Sequence, residues 1–197
     1  MSATNSATAT TLIARLWPAR RENALLRGAA LVLLGTALLA VSAHIQVPFW
    51  PVKLSMQSFV VLSIGLTYGR RLAAATIAAY LIEGAFGLPV FQSGAGLAYM
   101  AGPTAGYLLG YLLAATAMGA LAERGAVLSP PRAIAAVLLG EVLIYAPGIA
   151  WLAMLFGPAK AIAYGLTPFL PAEGAKILLA VMLLPGLRRL TRQTPGE

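Results

Sequence analysis

Six stretches of this 197-residue chain are almost wholly apolar, at about 28–43, 54–68, 72–86, 103–122, 132–155 and 168–187, with short polar or basic segments between them. None alternates apolar and polar positions as membrane strands would. Runs of about 20 residues predict helices able to cross a hydrocarbon core about 30 Å thick. Only Gly69, Arg70 and Arg71 part the second and third runs, which predicts a tight helical hairpin. Gly84, Gly87 and Pro89 close the third, because glycine and proline disfavour helix continuation. The expected fold is an all-α membrane protein, a bundle of six transmembrane helices.

Composition sharpens this. The chain is 59% hydrophobic and 10% charged, with a mean hydropathy of +0.82. A soluble domain carries about 25% charged residues, so this chain cannot cover a water-facing surface. There is no cysteine and one histidine, His44. A disulfide framework, a thiolate nucleophile and a His- or Cys-based metal site are therefore not expected. No cofactor or metal is expected, and no Walker-type loop is present for ATP. With none of these groups, an enzyme is not expected.

The net charge of +8 has a topological explanation. Arg15, Arg20, Arg21 and Arg27 precede the first run, and Arg70 and Arg71 part the second and third. Arg124 and Arg132 flank the fourth connection, and Arg188, Arg189 and Arg192 follow the sixth run. Only Lys53 and Lys160 fall in the opposite set of connections. Basic residues stay in the cytoplasm, so both termini are expected there, and no nucleic-acid partner is needed to explain the charge. The alternation requires an even number of helices. The expected location is a bacterial cytoplasmic (inner) membrane, multi-pass. The layout is a cytoplasmic tail over 1–27, a six-helix transmembrane domain over 28–188 and a second tail over 189–197. The Ser/Thr/Ala-rich start of the first tail is expected to be disordered. Leu12, Ile13, Leu16 and Trp17 then form an apolar patch beside arginines, either an interfacial segment on anionic headgroups or a solvated tail.

The connections opposite the arginines are longer and rich in special residues: 44–53 (HIQVPFWPVK), 87–102 (GLPVFQSGAGLAYMAG) and 156–167 (FGPAKAIAYGLT). Non-helical backbone near membrane depth must be buried in protein or line a cavity. Three such segments on one face read as wall and lid of an extracellular pocket, or as ordinary interfacial loops with aromatic anchors. Polar residues within the runs add candidates. Thr76, Tyr80, Glu83 and Gly87 share one helical face, as do Glu141, Tyr145, Gly148 and Leu152. Gly102, Gly106, Gly110 and Ala114 form a smooth strip for close helix packing, inside the monomer or against a partner subunit. Glu141 fits a tyrosine or backbone partner, or a proton-carrying acid.

In the last run, Pro171 suits a first helical position, and Glu173 and Lys176 follow at i, i+3 spacing. Intramembrane ionisable residues mark function by default. The pair either neutralises itself or diverges into a pocket, with the ammonium holding a ligand carboxylate and the acid accepting ligand N–H groups.

Two stretches carry a resemblance. GLPVFQSGAGLAYMAGPTAGYLLGY (87–111) resembles the signature of the BioY family, the biotin-specific S components of energy-coupling factor (ECF) vitamin transporters. LTPFLPAEGAKILLA (166–180) is similar to that family's last helix, and VPFWPVKLSMQSFVVL (47–62) to its proline-containing loop and second helix. Glu173 stands where the family has an Asp, Ala105 replaces a glycine, and the Gly94-Ala95-Gly96 turn replaces a more usual SGG. The first helix lacks a clear Ala-x-x-x-Ala docking motif.

The resemblance implies high-affinity biotin capture and uptake, with an ECF transmembrane scaffold and ATPase subunits as partners in the lipid bilayer. The ligand-binding residues it implies, together with the helical faces above, are Glu173, Lys176, Phe91, Gln92, Tyr80, Glu83, Gly94 and Trp50. Biotin's ureido ring, apolar thioether ring and terminal anion suit such a set. The alternatives are an S component for a different vitamin, or a proton-coupled secondary transporter of a small organic acid.

Overall fold

A computed structural model of the chain describes residues 11–17, 23–47, 54–171, 173 and 174. The described residues are mostly helical: α1 (Leu12–Leu16), α2 (Ala24–His44), α3 (Gln57–Tyr68), α4 (Arg70–Ala85), α5 (Gly96–Met100), α6 (Ala105–Glu123), α7 (Pro130–Phe156) and α8 (Pro158–Gly165). Helical backbone resumes at Leu170 and includes Glu173. The tails 1–10 and 189–197, the loop 48–53 with Trp50 and Lys53, and Lys176 with the rest of the final run lie outside the described residues.

Among the described residues α2, α6 and α7 are long and apolar enough to cross a membrane, and α3 is a shorter apolar helix. The outward side of α2 exposes Leu25, Leu26, Leu33, Leu34, Leu38 and Val41. An apolar exterior of this extent suits hydrocarbon and not water. The hydroxyl side chains of α2, Thr36 and Ser42, turn inward instead.

Two junctions follow directly from glycine. Gly69 alone separates α3 from α4, at φ +83°, a backbone conformation that other residues rarely adopt. Gly157, at φ +86°, separates α7 from α8 in the same way. The hairpin expected at 69–71 is thus present, with Arg70 and Arg71 already in the first turn of α4. Proline starts α7: Ser129 is extended, and Pro130 and Pro131 occupy the first helical positions, where a missing N–H is harmless.

The small-residue strip of α6 explains its close contact with α7. A Cβ on Gly106 would strike the Pro147 carbonyl, and one on Gly110 would lie 2.6 Å from the Ile144 oxygen and 2.9 Å from that of Leu143. Pro147 sits inside α7 and has no N–H for the carbonyl four residues earlier, that of Leu143. Gly110 therefore meets the backbone where the helix ladder is broken. The strip packs within the monomer, and Gly102 lies just before α6, where its carbonyl accepts from Trp151 Nε1 at 2.9 Å.

The connections gather in two groups. Near Gly69, the Arg70 amide donates to Glu123 Oε1 at 2.8 Å, and Arg27 Nη2 donates to the Ile13 carbonyl of α1 at 3.0 Å. The apolar patch at Leu12–Trp17 is therefore a helical turn, with Leu16 and Trp17 exposed. At the other end a short antiparallel pair, β1 (Gln46–Val47) and β2 (Leu54–Ser55), brackets the loop 48–53. The run pattern did not predict this pairing, because two residues per strand leave no periodic signal. Gln46 Nε2 donates to the Gln92 carbonyl at 3.1 Å, and Tyr107 donates to the Gly165 carbonyl at 2.7 Å. These bonds tie the segments around 44–55, 87–102 and 156–169 to one end of the bundle.

Candidate functional site

A polar hollow opens at that loop-rich end. Ser55, Gln57, Ser58, Gln92, Tyr99, Thr104, Tyr107, Tyr111, Tyr145 and Glu173 are among the residues that line it, with Leu108, Ile144 and Phe169 as apolar wall. Its free interior is about 30 Å³, inside an indentation of about 440 Å³ that includes the open mouth. The enclosed part has room for a water or two.

Glu173 is the acid of this hollow, 6% exposed. Its amide closes a helical bond to the Phe169 carbonyl at 2.8 Å, which fixes it near the start of the last helical segment. Tyr145 of α7 donates to Oε1 at 2.9 Å, and Ser58 of α3 lies 3.3 Å from both carboxylate oxygens. A buried charge needs such partners, since desolvation otherwise penalises it by several kcal/mol. The two hydroxyls hold the carboxyl group from α7 and α3 at once. Aromatic edges surround it: Tyr145 meets Tyr107 and Phe169 with ring centres 5.7 Å and 5.9 Å apart.

The opposite wall is organised by two amides. Gln57 Nε2 donates to Tyr80 at 2.6 Å, and the Tyr80 hydroxyl donates to the Val90 carbonyl at 2.9 Å. Gln92 Nε2 donates to Ser55 Oγ at 2.7 Å. Both amide groups are thereby held in one orientation. Burial pushes the Tyr99 phenol above its ordinary pKa, although bonds with Thr104, Ser93 and the Gln92 backbone pull the other way. Tyr99 thus stays a neutral donor and acceptor at the mouth.

The sequence-predicted residues fall at different depths. Glu173 and Gln92 line the hollow. Phe91 lies one layer back, 1% exposed: it stacks on Tyr99 at 4.9 Å and meets the edge of Tyr80 at 5.4 Å. Its ring occupies the space a Cβ on Gly84 would take. Tyr80, fully buried, reaches the hollow only through Gln57. Gly94 lies beside the Tyr99 ring, and half-buried Glu83 is not among the lining residues. Trp50 and Lys176 lie outside the described residues. Glu141 is buried on α7, one turn before Tyr145.

Ser58, Tyr107 and Tyr111 were not singled out from sequence, whereas Gln57 is the glutamine of the second-helix segment that carries the resemblance. Tyr107 and Tyr111 had a legible signal, an i, i+4 tyrosine pair beside the glycine strip. Ser58 had none, since its partner lies 115 positions away.

An apolar bundle exterior around one polar, aromatic-walled hollow defines a multi-pass membrane protein of the solute-handling kind. The chain belongs to the BioY family, whose model matches residues 9–193. It is 32% identical to a protein of Rickettsia prowazekii named "Probable biotin transporter BioY", over 82% of this chain and 84% of that one. It is 35% identical to the "Biotin transporter BioY" of Thermotoga maritima, over 79% of this chain and 92% of that one. In fold it is similar to a crystal structure described as the S-component for biotin from an ECF-type ABC transporter. The TM-score is 0.72 at 23% identity, covering 89% of this chain and 96% of the other.

Proposed function

We propose that this chain is the biotin-specific S component of an ECF-type transporter, capturing biotin outside the cell and releasing it inward. The observation that carries the reading is family membership over nearly the whole length, together with relatives whose names specify biotin. The hollow adds chemistry that fits. Glu173, and the acceptor side of a Gln57 whose N–H is committed to Tyr80, suit the two ureido N–H groups. Tyr107, Tyr111 and Phe169 suit the thioether ring and the valeryl chain. Lys176, three residues after Glu173 in the sequence, supplies the cation for the ligand carboxylate. Phe91, Tyr80 and Gly94 support the wall, and Trp50 and Glu83 remain candidates from the sequence.

In this reading six helices span the membrane over 28–188. The tails 1–27 and 189–197 are cytoplasmic, and the segments around 44–53, 87–102 and 156–167 face outward. Basic residues near Gly69, Arg124 and Arg132 favour that orientation. A membrane scaffold subunit and ATPase subunits drive release by reorienting the whole component. The chain performs no chemical step on its ligand.

Purification from rich medium, followed by mass spectrometry of the released small molecules and titration with biotin, tests this. Stoichiometric biotin and saturable binding are expected. Another vitamin in its place would reassign the component. Uptake by the isolated protein that collapses with the proton gradient would make it a secondary transporter.

A further inference from the structure

At the arginine-rich end, a groove of about 380 Å³ lies between the end of α6, the 3-10 turn Ala126–Leu128 and the first turns of α7. It is lined by Leu121, Ala126, Ala135, Ala136 and Leu139, with Arg124 and Arg132 as its charged members. Among the described residues that line it, none is acidic. The acid adjacent in sequence, Glu123, directs Oε1 to the Arg70 amide at 2.8 Å and is engaged there. Both arginines are exposed, as are Ala135 and Leu139. The groove therefore opens to the bundle exterior and carries two positive charges at one end.

Its polarity runs along α7. Arg132 stands in the first turn and Leu139 two turns deeper, about 10 Å farther along the axis at 1.5 Å per residue. Charge thus sits at the interface and apolar floor runs toward the membrane interior. Guanidinium groups bind phosphate through paired, charge-assisted hydrogen bonds. Basic pockets between membrane helices on the cytoplasmic side take anionic lipid headgroups. The geometry points to an anionic glycerophospholipid as the occupant: its phosphate is held by Arg124 and Arg132, and one acyl chain lies along Ala135, Ala136 and Leu139. The lipid wedges the α6–α7 connection at the end opposite the ligand hollow.

The test uses the full chain in mild detergent, with native mass spectrometry during titration by dioleoylphosphatidylglycerol or dioleoylphosphatidylcholine. Phosphatidylglycerol is expected to bind at least tenfold tighter. The double variant Arg124→Ala/Arg132→Ala is expected to erase that preference, while Arg71→Ala, also at the basic end, keeps it. Leu139→Trp, which fills the apolar floor, is expected to weaken retention of phosphatidylglycerol with the arginines intact. Equal binding of the two lipids overturns the assignment. So does a loss in Arg71→Ala as large as in the double variant, because diffuse surface charge would then be the cause. Full displacement of the lipid by inorganic phosphate at physiological ionic strength would also overturn it, since the acyl chain would add nothing.

Discussion

Tyr145 and Glu173 meet across 2.9 Å, the phenol donating to Oε1 of the carboxylate. The bond joins α7 to the start of the last helical segment, so one contact both satisfies a buried acid and couples two elements around the hollow. Tyr145→Phe removes the donor without changing the ring. Loss of one such bond is worth about 1 kcal/mol, or roughly fivefold in affinity. Biotin titration calorimetry is expected to show that decrease. Glu173→Ala should cost more, at least tenfold, because the acceptor itself disappears. Equal affinity in both variants and the parent would remove the acid from the binding site.

Lys176 and the ligand anion make a separable prediction. Lys176→Ala is expected to weaken biotin binding at least tenfold, about 1.4 kcal/mol. The same variant should bind biotinol, the alcohol lacking the carboxylate, as the parent does. A matching loss for both ligands would assign the lysine a structural role.

Packing of α6 on α7 predicts a stability series. Gly110→Ala places a methyl 2.6 Å from the Ile144 carbonyl, and Gly106→Ala drives one into the Pro147 carbonyl. Overpacking of this kind costs about 1–3 kcal/mol. Gly28→Ala is the counter-case, since nothing lies within 4 Å of a Cβ there. In the interior of α2 that change should stabilise by up to about 1 kcal/mol. Thermal melting in one detergent should order the three with Gly28→Ala highest.

The absence of cysteine makes topology directly testable. Ser93→Cys, on the exposed loop before α5, is expected to react with an impermeant maleimide applied to intact cells. Arg71→Cys is expected to react only after the membrane is opened. The reverse pattern would invert the proposed orientation.

The helical runs were legible because burial in hydrocarbon writes itself into every residue of a span. Those at 103–122 and 132–155 appear as Ala105–Glu123 and Pro130–Phe156. Gly69 was equally plain, since two apolar runs this close need a sharp reversal between them. Depth was harder to read. Periodicity assigns Tyr80 to a helical face, but not to the layer behind Gln57, which depends on how the 87–102 segment folds over α4. The contact between Ser58 and Glu173 joins distant parts of the chain and leaves no local pattern in either. Local sequence gives faces; assembly decides which faces meet.

The nearly filled interior between Tyr107, Gln57 and Glu173 has a kinetic consequence. If the closed arrangement predominates, association must wait for rare opening, and the apparent affinity falls in proportion to the open fraction. Observed binding rates should then level off as vitamin concentration rises, at the frequency with which the mouth unlatches. Once inside, the guest would be held by the same closure and would leave slowly, a useful property for scavenging a scarce nutrient.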